Sequence, residues 1–267
     1  MLHRTVYRYG APVQSTVQML RLTPRAEAHQ RPLRWRLHAP GALAQGQDTY
    51  GNVCHTLSLH QAHTELAIEV RGEIDVDPLR DGHLEHDGWL PPMAYCGETP
   101  LTTADARVRD FAATYLRAAT PTGLLEFAQA IRERIEYEPG TTHVATTASH
   151  ALEQGCGVCQ DHAHAFIAGC RATGIPARYV SGYFYTTQTP HAASHAWADA
   201  YLPGHGWISI DITHGVFASD TLARLAVGRD YDSACPVRGV RLGGAGETME
   251  VRVNMRPLSL HAAVDSQ

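Results

Sequence analysis

Charge is scarce in this 267-residue chain: 18% of its residues are Asp, Glu, Lys or Arg, and the formal net charge is −5. That balance removes the electrostatic basis for nucleic acid or an anionic membrane as a partner. No stretch approaches the roughly 18 consecutive apolar residues that a membrane span needs. The opening MLHRTVYRYG alternates polar and apolar residues and lacks the apolar core of a secretory leader, so a cytoplasmic location is expected. Internal repeats and low-complexity tracts are missing. The six cysteines, at 54, 96, 156, 159, 170 and 235, lack the dense, regular spacing of a disulfide scaffold. Cys54, Cys170 and Cys235 read as ordinary small buried thiols. Cys156-x-x-Cys159 with His162 and His164 has no second ligand pair nearby, since the lone HxxH, His60 and His63, lies in a separate β-rich region; no metal and no cofactor are expected. A thioredoxin-like role would need a β-α-β context that this CxxC does not have. Its spacing does allow a reversible Cys156–Cys159 disulfide as a regulatory device.

What remains is an ordinary globular composition, 44% hydrophobic, enough for a sizeable core. Thr5–Tyr9, Val17–Leu22, Arg34–His38, His55–Leu59 and Leu66–Ile74 read as short strands separated by turn residues, an antiparallel β-rich domain over 1–76. Residues 77–100, rich in proline, glycine and acidic punctuation, read as a linker or strap. Helical spacing begins after Thr102, which with Asp105 forms a candidate capping box ahead of Val108, Phe111, Ala112 and Tyr115. Further helices are expected over Leu124–Glu136 and Thr147–Gln154, the latter stopping at Gly155. Cys159–Thr173 carries an apolar face of Ala163, Phe166, Ile167 and Cys170 and is closed by Gly174 and Pro176. Strands at Arg178–Tyr185, Ser194–Leu202, Gly206–Ile212 and Thr248–Val253 complete a core over 101–260. An all-β module, then helices, then strands argue for α+β architecture.

The chemistry concentrates at Cys159. It sits where the glycine-rich GCGVC passes into a helix, and a thiol there feels the positive end of the helix dipole. Thiolate is the nucleophilic form, and nearby N–H groups suit an oxyanion. A base is supplied by the next hairpin. Ser194-His195-Ala196-Trp197 opens one strand, Trp207-Ile208-Ser209-Ile210-Asp211 forms the next, and Pro203-Gly204-His205-Gly206 turns between them. The register of such a hairpin sets His195 near directly across from residues 211–213, so Asp211 can orient the imidazole. His162 and His164 have no obvious acid partner and read as packing residues. Asp161 reads as a helix cap. Tyr137, Gln160 and Thr141 are polar candidates for a second oxyanion donor. Trp197 and Trp207 suit either the site or the core.

GVCQDHAHAFIAGCRATGIPARYVSGYFY followed by SHAWADAYLPGHGWISID resembles the catalytic core of bacterial transglutaminase-like proteins, often described as candidate cysteine proteases. YRYGAPVQ, LRLTPR and DTYGN resemble the β-rich region that precedes that core, and VGRDYDSACPVRGVRLGG is similar to the family's usual ending. The resemblance implies a papain-like α+β fold, with the family's catalytic cysteine, histidine and aspartate falling on Cys159, His195 and Asp211. Cys156 and Cys96 depart from the family pattern. The expected activity is thiol-dependent acyl transfer on a peptide or amide substrate through a thioester. Hydrolysis is favoured over transfer to an amine because neither a calcium site nor an acceptor pocket is legible; a peptide-binding protein without catalysis is the competing class.

Overall fold

The computed structural model describes residues 1–85, 89–186 and 193–257. Residues 86–88 of the expected strap and 258–260 of the expected core fall outside them. The fold is α+β, with an antiparallel sheet ahead of a helix-and-sheet core.

The first sheet is organised by one 19-residue strand, β1 (Leu2–Leu20). On one edge it pairs with β5 (His63–Val76) through its first half and β4 (Val53–Leu59) through its second, and β2 (Gln30–His38) and β3 (Ala42–Gln47) extend the sheet outward. The sequence reads as two strands here, Thr5–Tyr9 and Val17–Leu22. The chain instead continues through a bulge between Val13 and Ser15. The bulge adds one residue and reverses the facing of everything beyond it. Thr5, Tyr7, Tyr9 and Val13 are buried before it, and Thr16, Gln18 and Leu20 after it, while Val17 and Met19 turn outward.

Four elements form a helical layer: α1 (Ala106–Tyr115), α2 (Pro121–Arg134), α3 (Ala148–Gln154) and α4 (Cys159–Ala172). Asp105, not Thr102, caps α1, accepting from the Val108 N–H at 3.0 Å. Thr102 belongs to the preceding turn, bonded to Thr99. Thr120 and Thr147 cap α2 and α3, and Gly155 ends α3 at φ 76°. α2 stops at Arg134, before the expected Glu136, because Glu136 and Tyr137 form the short strand β7 (Glu136–Tyr137).

The helices pack on one face of a second sheet, whose path is β12 (Val216–Phe217), β11 (Gly206–Asp211), β10 (Ala193–Leu202), β9 (Ala177–Phe184), β13 (Leu222–Gly228). Period-two alternation assigns the faces. Ala196, Ala198, Ala200, Leu202, Ile208 and Ile210 meet α4 in one core. The opposite face carries Trp197, Asp199 and Ser209. There Arg178 Nε donates to Asp199 Oδ2 at 2.7 Å, Arg224 grips both carboxylate oxygens at 2.7 and 3.0 Å, and Trp207 stacks under the Arg178 guanidinium. Burial works to raise the Asp199 carboxyl, but the two arginines hold it well below the usual carboxylate range. Tyr183, Ala223 and Leu225 join the apolar cluster under the first sheet, so the two sheets share a core.

The segment after β5 is tied down: β6 (His83–Leu84) pairs with β11, and Leu84 and Tyr95 are buried against Trp207. Beyond the short α5 (Tyr231–Ala234), the chain returns to β1. Strands β14 (Val237–Gly243) and β15 (Glu247–Asn254) pair with the two halves of its free edge.

Candidate active site

Cys159 is the first residue of α4, fed by β8 (Cys156–Gly157), which runs parallel to β7. The helix entry is held by Asp161, whose Oδ2 accepts the Val158 N–H at 2.8 Å and the Thr142 hydroxyl at 2.7 Å. This tight cap explains Gly157: a Cβ there would lie 2.7 Å from the same carboxylate oxygen. The first-turn N–H groups of a helix have no acceptor within it, so Cys159 stands where backbone dipoles favour negative charge.

The β10–β11 ladder runs from Leu202↔Gly206 to Ala198↔Ile210, turning through Gly204 and Gly206 at φ 81° and 79°. One further step sets Asp211 across from Trp197 and diagonal to His195, rather than directly across from it. A diagonal pair on one face is within reach of long side chains, and His195 Nε2 lies 2.9 Å from Asp211 Oδ2. Cys159 raises the same imidazole, so its sulfur lies within interaction range of the ring whose Nε2 is taken by Asp211. The three residues singled out in the sequence therefore meet in one place. His195 and Asp211 are buried and Cys159 is half-buried.

Electrostatics reinforce the geometry. Burial alone would push the His195 imidazole down, but its hydrogen bond to Asp211 and its interaction with Cys159 carry it up to about 10, so it is a cation at neutral pH. Burial would likewise raise Asp211, yet its bonds to His195 and His214 hold it far below the usual carboxylate range.

His214 escaped the sequence reading. Its Nδ1 lies 2.7 Å from Asp211 Oδ2, and its backbone N–H reaches Asp211 Oδ1 at 3.3 Å. The available signal was local: an aspartate three residues before it, ahead of Gly215, is turn chemistry that brings i+3 back to the carboxylate. Phe184 also went unnoticed; its ring lies 5.5 Å from His195 and 4.6 Å from His214. Trp197 stacks beside His195 at 6.1 Å with its Nε1 donating to Ser209, whereas Trp207 is buried away from the site with Tyr95. Gly182, paired with His195, makes room for that indole, since a Cβ would fall 2.5 Å from the Trp197 ring.

His162 and His164 are occupied elsewhere. His162 bonds Thr213 Oγ1 and the Ile135 carbonyl, and His164 accepts the Tyr231 N–H; burial pushes both down, His164 to about 4. Among the three polar candidates, Gln160 donates to the Val144 carbonyl and the Thr141 hydroxyl to the Glu138 carbonyl. Tyr137 stands apart: its phenol is raised by burial and then by the charge of Cys159, which places it within electrostatic range of the sulfur. Donor atoms of His195, Asp211 and His214 lie within 4.8 Å of one another, close enough to hold a metal ion. Their contacts of 2.7 and 2.9 Å are those of proton-sharing hydrogen bonds.

Residues 109–212 match the model of the transglutaminase-like superfamily, and residues 1–75 match that of the bacterial transglutaminase-like N-terminal region. The chain is 30% identical to the uncharacterized protein ML0607 of Mycobacterium leprae over 97% of its own length and 98% of that protein's. The chain belongs to the transglutaminase-like superfamily. A candidate cysteine protease from Cytophaga hutchinsonii has the same fold, with a TM-score of 0.74 and 22% identity over 97% of this chain and 91% of that one. A protein-glutamine gamma-glutamyltransferase of Pseudomonas aeruginosa is 30% identical over 102 residues, 33% of this chain and 15% of that protein.

Proposed function

We propose that this transglutaminase-like protein is a thiol-dependent acyl-transfer enzyme acting on a peptide or amide bond, with Cys159, His195 and Asp211 as its catalytic triad and water as the acceptor. The observation that carries the reading is one imidazole bonded through Nε2 to a buried carboxylate and within interaction range of a thiol at a helix start.

In acylation the Cys159 sulfur attacks the amide carbonyl carbon, and the carbonyl π electrons move onto oxygen. In this reading the Cys159 N–H receives that charge, with the Tyr137 phenol as the second donor. Collapse breaks the C–N bond, His195 gives its proton to the leaving amine, and a thioester remains on Cys159. In deacylation His195 takes a proton from water, the resulting hydroxide attacks the thioester, and the sulfur leaves with the bonding pair. Asp211 keeps the ring oriented and stabilises its cationic form without itself taking the proton.

Amine transfer is the second reading, and the gamma-glutamyltransferase relative is what favours it. Incubation of glutamine-containing peptides with and without a primary amine, followed by mass determination, separates the two. Hydrolysis yields products 1 Da heavier per deamidated glutamine, or cleaved fragments, whether or not amine is present. Amine adducts as the main product would replace hydrolase with transferase, and no turnover by the wild-type chain would sink both.

A further inference from the structure

Beside the triad the first sheet leaves apolar surface uncovered. In the β1–β15 ladder His3 pairs with Val253, Thr5 with Val251 and Tyr7 with Met249, so all six share the face turned toward the catalytic sheet. His3, Thr5, Tyr7 and Val253 are buried there. Met249 and Val251 keep 60% and 43% of their surface exposed, although their cross-strand partners are covered. They line a groove of about 890 Å³, bounded on the other side by Ser194, Tyr231 and Val237. That volume is in the usual range for small-molecule sites and exceeds what one side chain fills.

The floor of this groove is uncharged. His3 spends Nδ1 on the Tyr183 hydroxyl at 2.6 Å and Nε2 on Thr5 Oγ1 at 2.9 Å, and burial pushes it down to about 4, so it is neutral at physiological pH. The charged side chain in the lining, Arg252, stands at the exposed rim and is ion-paired with Glu250, so the floor itself offers no counter-charge to an acidic or basic segment. One wall of the groove adjoins the site through Ser194 and Tyr231. Ser194 immediately precedes His195 in β10. Tyr231 donates its N–H to His164 on α4, and its ring meets Tyr179 edge-on at 6.3 Å. Tyr231 in the groove wall and Cys159 thus pack against the same buried core, which includes Tyr179.

We infer that this groove binds the substrate peptide beside the amide that Cys159 attacks, taking one or two bulky apolar side chains such as leucine. The inference rests on the acyl-transfer reading for the position of that amide, but binding itself is measurable without chemistry. In a Cys159→Ala chain, fluorescence anisotropy compares a fluorescein-labelled Leu-Leu-Gln-Gly peptide with its Ser-Ser-Gln-Gly counterpart. The leucine peptide binds at least about tenfold more tightly, and Met249→Glu or Val251→Glu in the same background removes that advantage. Both substituted side chains are exposed enough to leave the fold intact, which an unchanged thermal midpoint verifies. Equal binding of the two peptides, or a leucine preference that survives both substitutions, overturns the inference. So does a severalfold gain in affinity on Leu258→Ser with Leu260→Ser, which would give the groove to the chain's own end. A concentration-dependent dimer abolished by Met249→Glu would give it to a second copy and equally overturn the peptide assignment. Leucine-selective binding in a protein whose native Cys159 neither forms a thioester nor alkylates selectively would keep the groove and remove the enzyme.

Discussion

His214 Nδ1 lies 2.7 Å from Asp211 Oδ2, the same carboxylate oxygen that receives His195 Nε2 at 2.9 Å. Two imidazoles therefore share one anionic oxygen, and the second of them restrains the group that orients the first. Under the proposed mechanism His214 is a positioning residue. His214→Ala should lower kcat by on the order of tenfold with KM little changed, since one hydrogen bond to a charged group is worth roughly 1.5–3 kcal/mol and the backbone bond to Oδ1 survives. With one donor gone, Asp211 concentrates its charge on His195, whose titration should move higher, as read by NMR of the imidazole. A lost fold, or a His195 titration that moves down, would show that His214 does something else.

Thiol reactivity should single out Cys159. Burial pushes Cys54 up to about 11 and also raises Cys170 and Cys235, so these thiols are neutral and shielded at ordinary pH. Limited iodoacetamide at mildly acidic pH, followed by peptide mapping, is expected to modify Cys159 ahead of the other five cysteines. His195→Ala should erase that lead. Uniform slow labelling of the wild-type chain would favour a binding protein over an enzyme.

The triad pair should leave a signature in stability against pH. His195 is raised from its ordinary 6.5 to about 10, so its contribution is complete below about pH 6.5 and is lost as pH rises through about 10. Asp211 is depressed, so its contribution is present above the ordinary 3.8 and is lost as pH falls through its lower folded value. The difference in denaturation midpoint between wild type and Asp211→Asn should be flat between those limits and shrink outside them on both sides. Asp211→Asn should also bring the His195 titration down by more than a unit and cost turnover on the order of a thousandfold. A His195 that titrates near 6.5 in the wild-type chain would contradict the pairing.

Asp199 tests the sheet beneath the site. It is buried between Arg178 and Arg224, and removing it leaves two guanidinium groups short of their shared anion. Asp199→Ala should destabilise the chain by about 3–5 kcal/mol, read from chemical denaturation. A loss under about 1 kcal/mol would mean that other partners satisfy both arginines.

Much of the site was legible because its signals are local. A cysteine at a glycine-led helix start, a Pro-Gly hairpin, and a histidine and aspartate on its two arms are all set within a few residues of chain. The diagonal pairing was less so, because the phase of a ladder depends on which residue of the turn is skipped. Asp105 displaced Thr102 as the α1 cap for a similar reason: both have the right chemistry, and only the surrounding packing chooses between them.

By itself the sequence determined the alternation of the strands, the capped helices and the local settings of Cys159, His195 and Asp211, since periodicity and capping are properties of neighbouring residues. Tertiary structure alone decided that β1 runs unbroken through its bulge, that β14 and β15 return from the far end of the chain to its free edge, and that His214 reaches Asp211. Strand partners are chosen by contacts between residues more than two hundred positions apart, and no local pattern carries that choice. The exposed Met249 and Val251 follow from the same long-range pairing, which brought one apolar face of β15 near Ser194 and left part of that face open.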